Sequence, residues 1–300
     1  MNFRLKKSLA AIFSGGILIF GSNALAEEIP LAQKIFEETV LNAPQDARLF
    51  NQSILLFGTN FHVDISAQGV LRDDLRMSGN MTFEYINPET NRAAANQLPF
   101  YAEQVGNNLI LYVQRGSKWQ KFSTPNFDIN SLKQNIKTVE IIGETNTQKI
   151  FNVKLNGAKL AETLREYDDE QDTTSLSMEE VIAQKKFLHN ATAALSATDL
   201  ICTWTIDRQT NETVSIALDL TPLVKAYAKN ILDEAAAGTV DVTNEDKLLM
   251  DSIMRYSEFH FLLNYAIDDK KNLTPPSAAR KAEVNYDILE DFFKTMTVTN

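Results

Sequence analysis

The sequence predicts an α+β protein built on one large, curved antiparallel meander sheet. Two long stretches of alternating apolar and polar residues, at 55–65 and 71–85, indicate strands much longer than usual. Several shorter strands follow, joined by local turns, and stretches with a helical period separate them. With 44% apolar and 23% charged residues in 300, the chain has the composition of an ordinary globular protein.

The N-terminus has the features of a secretory signal peptide. Three basic residues precede a short apolar run at 9–20, and the small residues Ala24 and Ala26 stand at the −3 and −1 positions. We therefore expect cleavage before Glu27. The alternative is an uncleaved membrane anchor, for which the apolar run is shorter than the roughly 20 residues that cross a bilayer.

Charge and location follow from that cleavage. The formal net charge is −10, from 29 basic and 39 acidic residues. Removal of residues 1–26 takes away three basic groups and leaves 26 against 39, a net charge of −13. So acidic a chain is not expected to bind nucleic acid. We expect an exported protein, periplasmic or extracellular, with no membrane-spanning segment after cleavage.

The domain organisation has two interpretations. Residues 27–300 are long enough for a single large domain, which we favour, or for two small ones. An acidic, polar linker at 168–177 is where a boundary would fall. A helical insertion over one continuous sheet fits that linker as well.

The long strands come directly after a first helix, predicted at 31–41 and stopped by Pro44. The odd positions of both stretches are apolar, and a turn at 67–69 is predicted between them. Strands of about 13 and 16 residues far exceed the usual five or six, which favours a broad, curved sheet over a compact sandwich.

The remaining elements follow in order. A polar loop at 87–97 precedes a hairpin at 98–105 and 109–114, a strand at 119–122, a short helix at 125–130, and strands at 138–144 and 149–155. Further elements are helices at 158–167 and 178–193, a hairpin at 200–207 and 213–219, helices at 222–237 and 244–254, a strand at 255–267 and a helix at 277–294.

The sequence contains no recognisable catalytic, metal or cofactor motif. Cys202, the single cysteine, lies on an apolar strand face and is interpreted as a small buried hydrophobe. The acidic linker matches the spacing of a calcium loop but has Thr173 where that loop needs glycine. We expect no cofactor, no metal and no enzymatic activity. An enzyme would require a carboxylate beside His62 or His260 in a cleft.

The odd positions of the long strands supply a candidate ligand surface. An apolar sheet face must be covered by helices, by another chain or by a ligand. The candidates for contact with an apolar ligand are Leu55, Phe57, Phe61, Val63, Leu75, Met77, Met81 and Phe83.

Three segments carry a resemblance to a known superfamily. They are the strand Leu109–Val113 with its turn into Lys118–Lys121, the hairpin Trp204–Asn211, and the first helix leading into long strands. In this pattern the chain resembles the half-barrel lipoprotein carriers, which include the lipoprotein localisation factors and the mycobacterial lipid-carrying lipoproteins. Unlike many of these relatives, this chain has no cysteine after its signal peptide.

The resemblance implies a half-barrel with helices on its concave face and an apolar cavity for acyl chains. It implies a non-enzymatic carrier or sensor of a lipid or acylated ligand. The alternative is a packed cell-envelope module that has no cavity and binds a partner protein. Whether the concave face is open or filled by helices distinguishes the two.

Overall fold

The computed structural model describes much of the chain outside the N-terminus. The described residues are 30–41, 48–58, 61–72, 76–87, 92–105, 108–125, 134–169, 178–240, 242–267, 276–277 and 282–284. The predicted signal peptide, the short helix predicted at 125–130 beyond its first residue, and most of the acidic linker lie outside these ranges.

The described residues contain twelve strands, which form one sheet in the order β12-β6-β5-β4-β3-β2-β1-β11-β10-β9-β8-β7. All neighbours pair antiparallel except β12, which runs parallel to β6. The strands of the first meander are β1 Arg48–Gly58, β2 Phe61–Leu71, β3 Met77–Asn87, β4 Arg92–Val105, β5 Asn108–Arg115 and β6 Lys118–Pro125. The others are β7 Ile136–Glu144, β8 Gln148–Leu155, β9 Leu200–Asp207, β10 Thr213–Asp219, β11 Glu258–Ile267 and β12 Glu283–Val284.

The sheet consists of two meanders joined at one seam. Strands β1–β6 form the first meander and β7–β11 the second, and the seam is the antiparallel pair β1–β11. In the described part of the chain no pairing joins β7 to β6 or β12, so the sheet is an open half-barrel. The predicted fold class is confirmed.

Five helices lie within the described ranges, and they contribute residues to the core on the concave face of the second meander. They are α1 Leu31–Phe36, which continues as a π-helical turn Glu37–Leu41, α2 Gly157–Asp169, α3 Met178–Ala197, α4 Thr221–Ala236 and α5 Asn244–Tyr256. The start of α5 has a side-chain cap, because the Thr243 hydroxyl accepts a hydrogen bond from the backbone N–H of Asp246 at 3.1 Å.

Phe36 at the end of α1 anchors that helix to the second meander. Its ring meets Phe151 of β8 and Trp204 of β9 edge-on, each with ring centroids 5.3 Å apart. All three side chains are buried. The indole Nε1 of Trp204 donates to the Thr213 hydroxyl at 3.0 Å, so its polar atom is satisfied inside the core.

Three predicted elements are wrong. The turn predicted at 67–69 lies inside β2, because the chain reverses after Gly58 and not ten residues later. The polar stretch at 87–97 is not a loop throughout, since β4 begins at Arg92 and pairs with β3 along its whole polar part. The predicted C-terminal helix is contradicted at Glu283–Val284, which pair with β6.

Asp199 ties one corner of the sheet together. Its carboxylate lies 2.7 Å from Nζ of Lys137 on β7 and 3.2 Å from Nζ of Lys154 on β8. It also accepts the backbone N–H of Gly157, at the start of α2, at 3.3 Å. The hydrogen bond from Lys137 is the main reason that the pKa of Asp199 falls to about 2, and burial acts in the opposite direction.

The role of Phe36 can be tested with a single truncation. We expect Phe36→Ala to lower the free energy of unfolding by about 3–5 kcal/mol, because it empties a fully buried site. Urea denaturation followed by tryptophan fluorescence measures this loss. Leu31→Ala, on the exposed side of the same helix, should stay within about 0.5 kcal/mol of the unchanged protein, and equal losses would contradict the assignment.

The Asp199 corner predicts a pH dependence. The folded-state pKa lies below the usual value of 3.8, so the stabilisation is complete above that value and disappears as the pH falls through about 2. We expect Asp199→Asn to cost about 1 kcal/mol near neutral pH, a small figure because the group is partly solvated. Denaturation at several pH values should show the cost shrinking towards acid. Asp233→Asn, in the exposed pair with Lys229, should show a smaller cost.

Candidate functional site

The register of the sheet determines which positions share a face. Directly opposed residues of antiparallel strands lie on the same face. Gly58 pairs with Phe61 across the first hairpin, so odd positions of β1 share a face with even positions of β2. Between β2 and β3 the parity is kept, because Ile65 pairs with Phe83.

The expectation that all the candidate residues share one apolar face is therefore wrong for β1. Positions 55 and 57 oppose Asp64 and His62 on the convex face, because the two-residue connection exchanges the parity. The register places the positions of Phe61, Val63, Met77, Met81 and Phe83 on the concave face, whereas Leu75 lies outside the described residues. Their contact with a ligand stays a prediction.

The concave face of the second meander is filled by helices. Phe36 and Val40 from the N-terminal helix, Val224 from α4 and Met250 from α5 are buried against strands β7–β11. This helix-packed half is a conventional protein core, in which helical residues cover the apolar strand residues.

The concave face of the first meander carries a buried cluster of another kind. This cluster consists of strand residues alone, from β1–β5 and β11, with no helical residue among its described members. We call it the strand-only cluster. Its buried members are Phe50, Met81, Leu98, Phe100 and Val113, and its half-buried members are Ile65, Ala67, Leu71, Met77, Leu111, Leu263 and Tyr265.

Two glycines at the centre of this cluster bring aromatic rings together. Gly69 pairs with Gly79, and the row continues to Phe50 on one side and Phe100 on the other. Those two strands are three spacings apart, about 14 Å in a flat sheet, yet the ring centroids lie 6.2 Å apart. The rings meet over the glycines because neither glycine has a side chain in their way.

Arg48 lies at one end of the cluster and is only 8% exposed. The register places it on the concave face, opposite Leu71. Its guanidinium carbon lies 5.4 Å from the centroid of the Tyr265 ring. Burial raises the pKa of that tyrosine to about 12, and the neighbouring Arg48 charge acts in the opposite direction.

Arg48 also begins a row of apolar residues along the same end of the sheet. Across successive strands the row continues with Leu71, Met77, Ala102 and Leu111. Of these, Ala102 is fully buried, whereas the three larger side chains are half-buried. The row therefore combines one cation with a partly accessible apolar track.

The convex face of the first meander has a separate aromatic pair. The hydroxyls of Tyr101 and Tyr112 donate to the two oxygens of Glu103 at 3.1 and 3.2 Å. Their ring centroids are 5.9 Å apart, and both side chains are buried. This arrangement satisfies polar atoms beneath an apolar cover and is structural in character.

His260 has acidic neighbours but lies away from the strand-only cluster. Its Nε2 is 3.3 Å from Oε2 of Glu258, and its Nδ1 is 3.7 Å from Oδ1 of Asp219. The register places all three on the convex face, as it does the position of His62. The side chains of His260, Asp219 and Glu258 are 42%, 50% and 67% exposed.

Cys202 is buried, as predicted, and burial raises the pKa of its thiol to about 12, which keeps it protonated and inert. Within the described residues no cluster of three or more histidine, cysteine or acidic side chains could hold a metal ion. Nor does any helix in those ranges have the length and apolar character needed to cross a membrane.

No family model and no curated protein matches this sequence. Among solved structures, the crystal structure of LprF from Mycobacterium bovis is similar over 86% of this chain and 100% of that chain. The sequence identity is 10% and the TM-score is 0.35. The similarity is a distant resemblance of fold only, and it assigns neither a ligand nor a site to this chain.

Sequence reasoning missed most of the strand-only cluster. Phe50 of the cluster and the adjoining Arg48 precede the alternating stretch at 55–65, and they stand at even positions whereas the predicted ligand surface has odd ones. Leu98 and Phe100 were assigned to a strand but not to a ligand surface. The parity exchange at Gly58 has no signal in the sequence.

The close strand contact at Gly69 can be tested by adding one methyl group. A Cβ at Gly69 would lie 2.0 Å from the carbonyl oxygen of Ser78, so β2 and β3 would have to separate. We expect Gly69→Ala to cost at least about 2 kcal/mol of unfolding free energy. Gly143→Ala is the control, because its Cβ would meet only a side-chain atom at 3.4 Å, and urea denaturation should find it near neutral.

Proposed function

We propose that this protein is an exported, non-enzymatic carrier or sensor that binds a lipid or acylated ligand at the strand-only cluster. The proposal includes a signal peptide removed before Glu27 and a single domain over residues 27–300. The observation that carries it is the apolar concave face of the first meander, whose cluster contains strand residues and no described helix.

The energetics of an acyl ligand suit this surface. Each methylene group moved from water to an apolar site contributes about 0.8 kcal/mol, so a long chain can bind without any special polar motif. The half-buried members Ala67, Leu71, Met77 and Leu111 offer the contact area. Met77 adds an adaptable side chain of the kind found at permissive apolar sites.

A packed module that binds a partner protein is the second candidate. The helix-packed half favours it, since helices fill the concave face there. The edge strand β7 also exposes Ile141 and Ile142, at 38% and 56%. Exposed apolar residues on a sheet edge are a recognised surface for another chain.

Native mass spectrometry of the purified protein, repeated after organic extraction, distinguishes the two candidates. A co-purifying lipid in near-stoichiometric amount supports the carrier or sensor. A mass equal to that of the protein alone, with no shift after incubation with lipid, contradicts it and favours the interaction module.

A pair of neighbouring substitutions tests the location of the site. Ala67 is half-buried on the concave face and Gln68 is exposed on the convex face. We expect Ala67→Glu to reduce co-purified lipid by about tenfold or more, because it places a charge against the acyl chain. Gln68→Glu adds the same charge one residue away and should leave the lipid content unchanged.

Thermal melting of both variants checks that they fold. Should Ala67→Glu fail to fold, Ala67→Phe fills the same space without a charge and should also reduce the bound lipid. Undiminished lipid in a folded Ala67 variant would place the ligand elsewhere and contradict the proposed site.

A further inference from the structure

Arg48 carries a buried polar atom that is not satisfied by the part of the chain that the structure describes. Its Nε is inaccessible to solvent and has no hydrogen-bond partner among the described residues. Among the described residues no carboxylate pairs with it, and its contact is the ring of Tyr265. Burial of an unpaired charge is costly, so native proteins pair such groups or use them for a ligand.

From this geometry we infer that Arg48 binds the anionic head group of a long-chain amphiphile whose tail lies along the row Leu71–Met77–Ala102–Leu111. The inference rests on the proposed apolar site and adds the chemical class of its ligand. Carboxylate and phosphate oxygens are the groups that an arginine fork binds with two parallel hydrogen bonds.

The surroundings of Arg48 select an amphiphile over a free anion. Every position in the row after Arg48 is apolar, and three of the four side chains are half-buried. Four strand spacings separate β1 from β5, about 19 Å, which is comparable to an extended long acyl chain. A free anion would satisfy the cation but leave this track unused.

Aromatic contact with Tyr265 fits the same role. A ring face beside a guanidinium orients its plane and leaves the edge with its N–H donors directed elsewhere. A tyrosine is neutral near neutral pH at its ordinary pKa, and burial moves the pKa of Tyr265 further up, to about 12. The ring therefore contacts the Arg48 cation as a neutral group.

The test uses lipid-free protein and probes that share a tail but differ in head group. Palmitate and palmitoyl-lysophosphatidic acid carry anionic heads, monopalmitoylglycerol is neutral, and acetate and inorganic phosphate have no tail. Calorimetric titration below the critical micelle concentration gives each dissociation constant. We expect the anionic amphiphiles to bind about tenfold or more tightly than the neutral one, and the tail-free anions to bind far more weakly.

The matched variants are Arg48→Met, Arg48→Lys and Arg255→Met. Arg48→Met keeps an apolar stem and should remove the preference for the anionic probes while leaving the neutral probe within about twofold. Arg48→Lys keeps the charge but loses the fork and should fall between. Arg255 is exposed and paired with Asp251 on α5, so its replacement should change nothing.

Melting temperature gives a readout that a purely structural arginine would move the other way. Removal of an unpaired buried charge should leave lipid-free Arg48→Met as stable as the unchanged protein or more stable. A marked loss of stability in Arg48→Met with unchanged head-group preference would overturn the inference and assign Arg48 to the fold.

The remaining outcomes separate this inference from the proposed function. Equal binding of anionic and neutral amphiphiles to the unchanged protein overturns the role of Arg48 while the apolar site stands. Arg48-dependent binding of acetate or phosphate as tight as that of palmitate overturns the amphiphile in favour of a free anion. Failure of every amphiphile to bind the unchanged protein overturns the proposed function and the head-group inference together.

Discussion

The pairing of β1 with β11 is the interaction on which the rest of the structure depends. It joins residues about two hundred positions apart, from Arg48 opposite Ile267 to Phe57 opposite Glu258, and so turns two local meanders into one sheet. Closing so long a loop is costly in chain entropy and must be offset by burial along the seam. Position 54 pairs with 261 there, and the side chains of Phe50 and Tyr265, which are also directly opposed, share the concave face. Through them the core of the second meander continues into the strand-only cluster, and Ile65, Leu263 and Tyr265 contact both.

Connection length explains why only one half of the concave face is packed by helices. The first meander is closed by short connections, such as those between Gly58 and Phe61 and between Arg115 and Lys118, and none has room for a helix. The second meander has long connections, which carry α2 and α3 between β8 and β9 and α4 and α5 between β10 and β11. An apolar concave face needs cover, and the described inter-strand helices contribute their buried residues to the core of the second meander. The strand-only cluster is therefore a consequence of the topology.

Local patterns predicted the fold well where pairing is local, and failed where parity depends on a turn. The hairpins at β7–β8 and β9–β10, the helices around them and the buried Cys202 follow from alternation, helical period and turn residues. The first hairpin was misplaced because odd positions remain apolar on both sides of Gly58, which imitates one continuous strand. A reversal of two residues exchanges the parity of the strand faces, so Leu55 lies on the convex face although it follows the same odd-position alternation. The sequence alone does not indicate that Arg48 is buried, because its neighbours on β11 and β2 contact it only in the folded sheet.

In so acidic a chain, one buried arginine affects the binding of an anionic ligand more than its single charge suggests. With a net charge of −10, the protein repels anions at long range, but salt reduces this repulsion beyond roughly 8 Å at physiological ionic strength. A buried guanidinium is screened far less, so its local field governs a ligand that has already reached the concave face. Apolar burial would then supply most of the affinity, whereas Arg48 would decide which head group is accepted. No sequence motif is needed for this arrangement. Long alternating strands form the apolar track, and Arg48, which has no acidic partner among the described residues of the sheet, would select the head group.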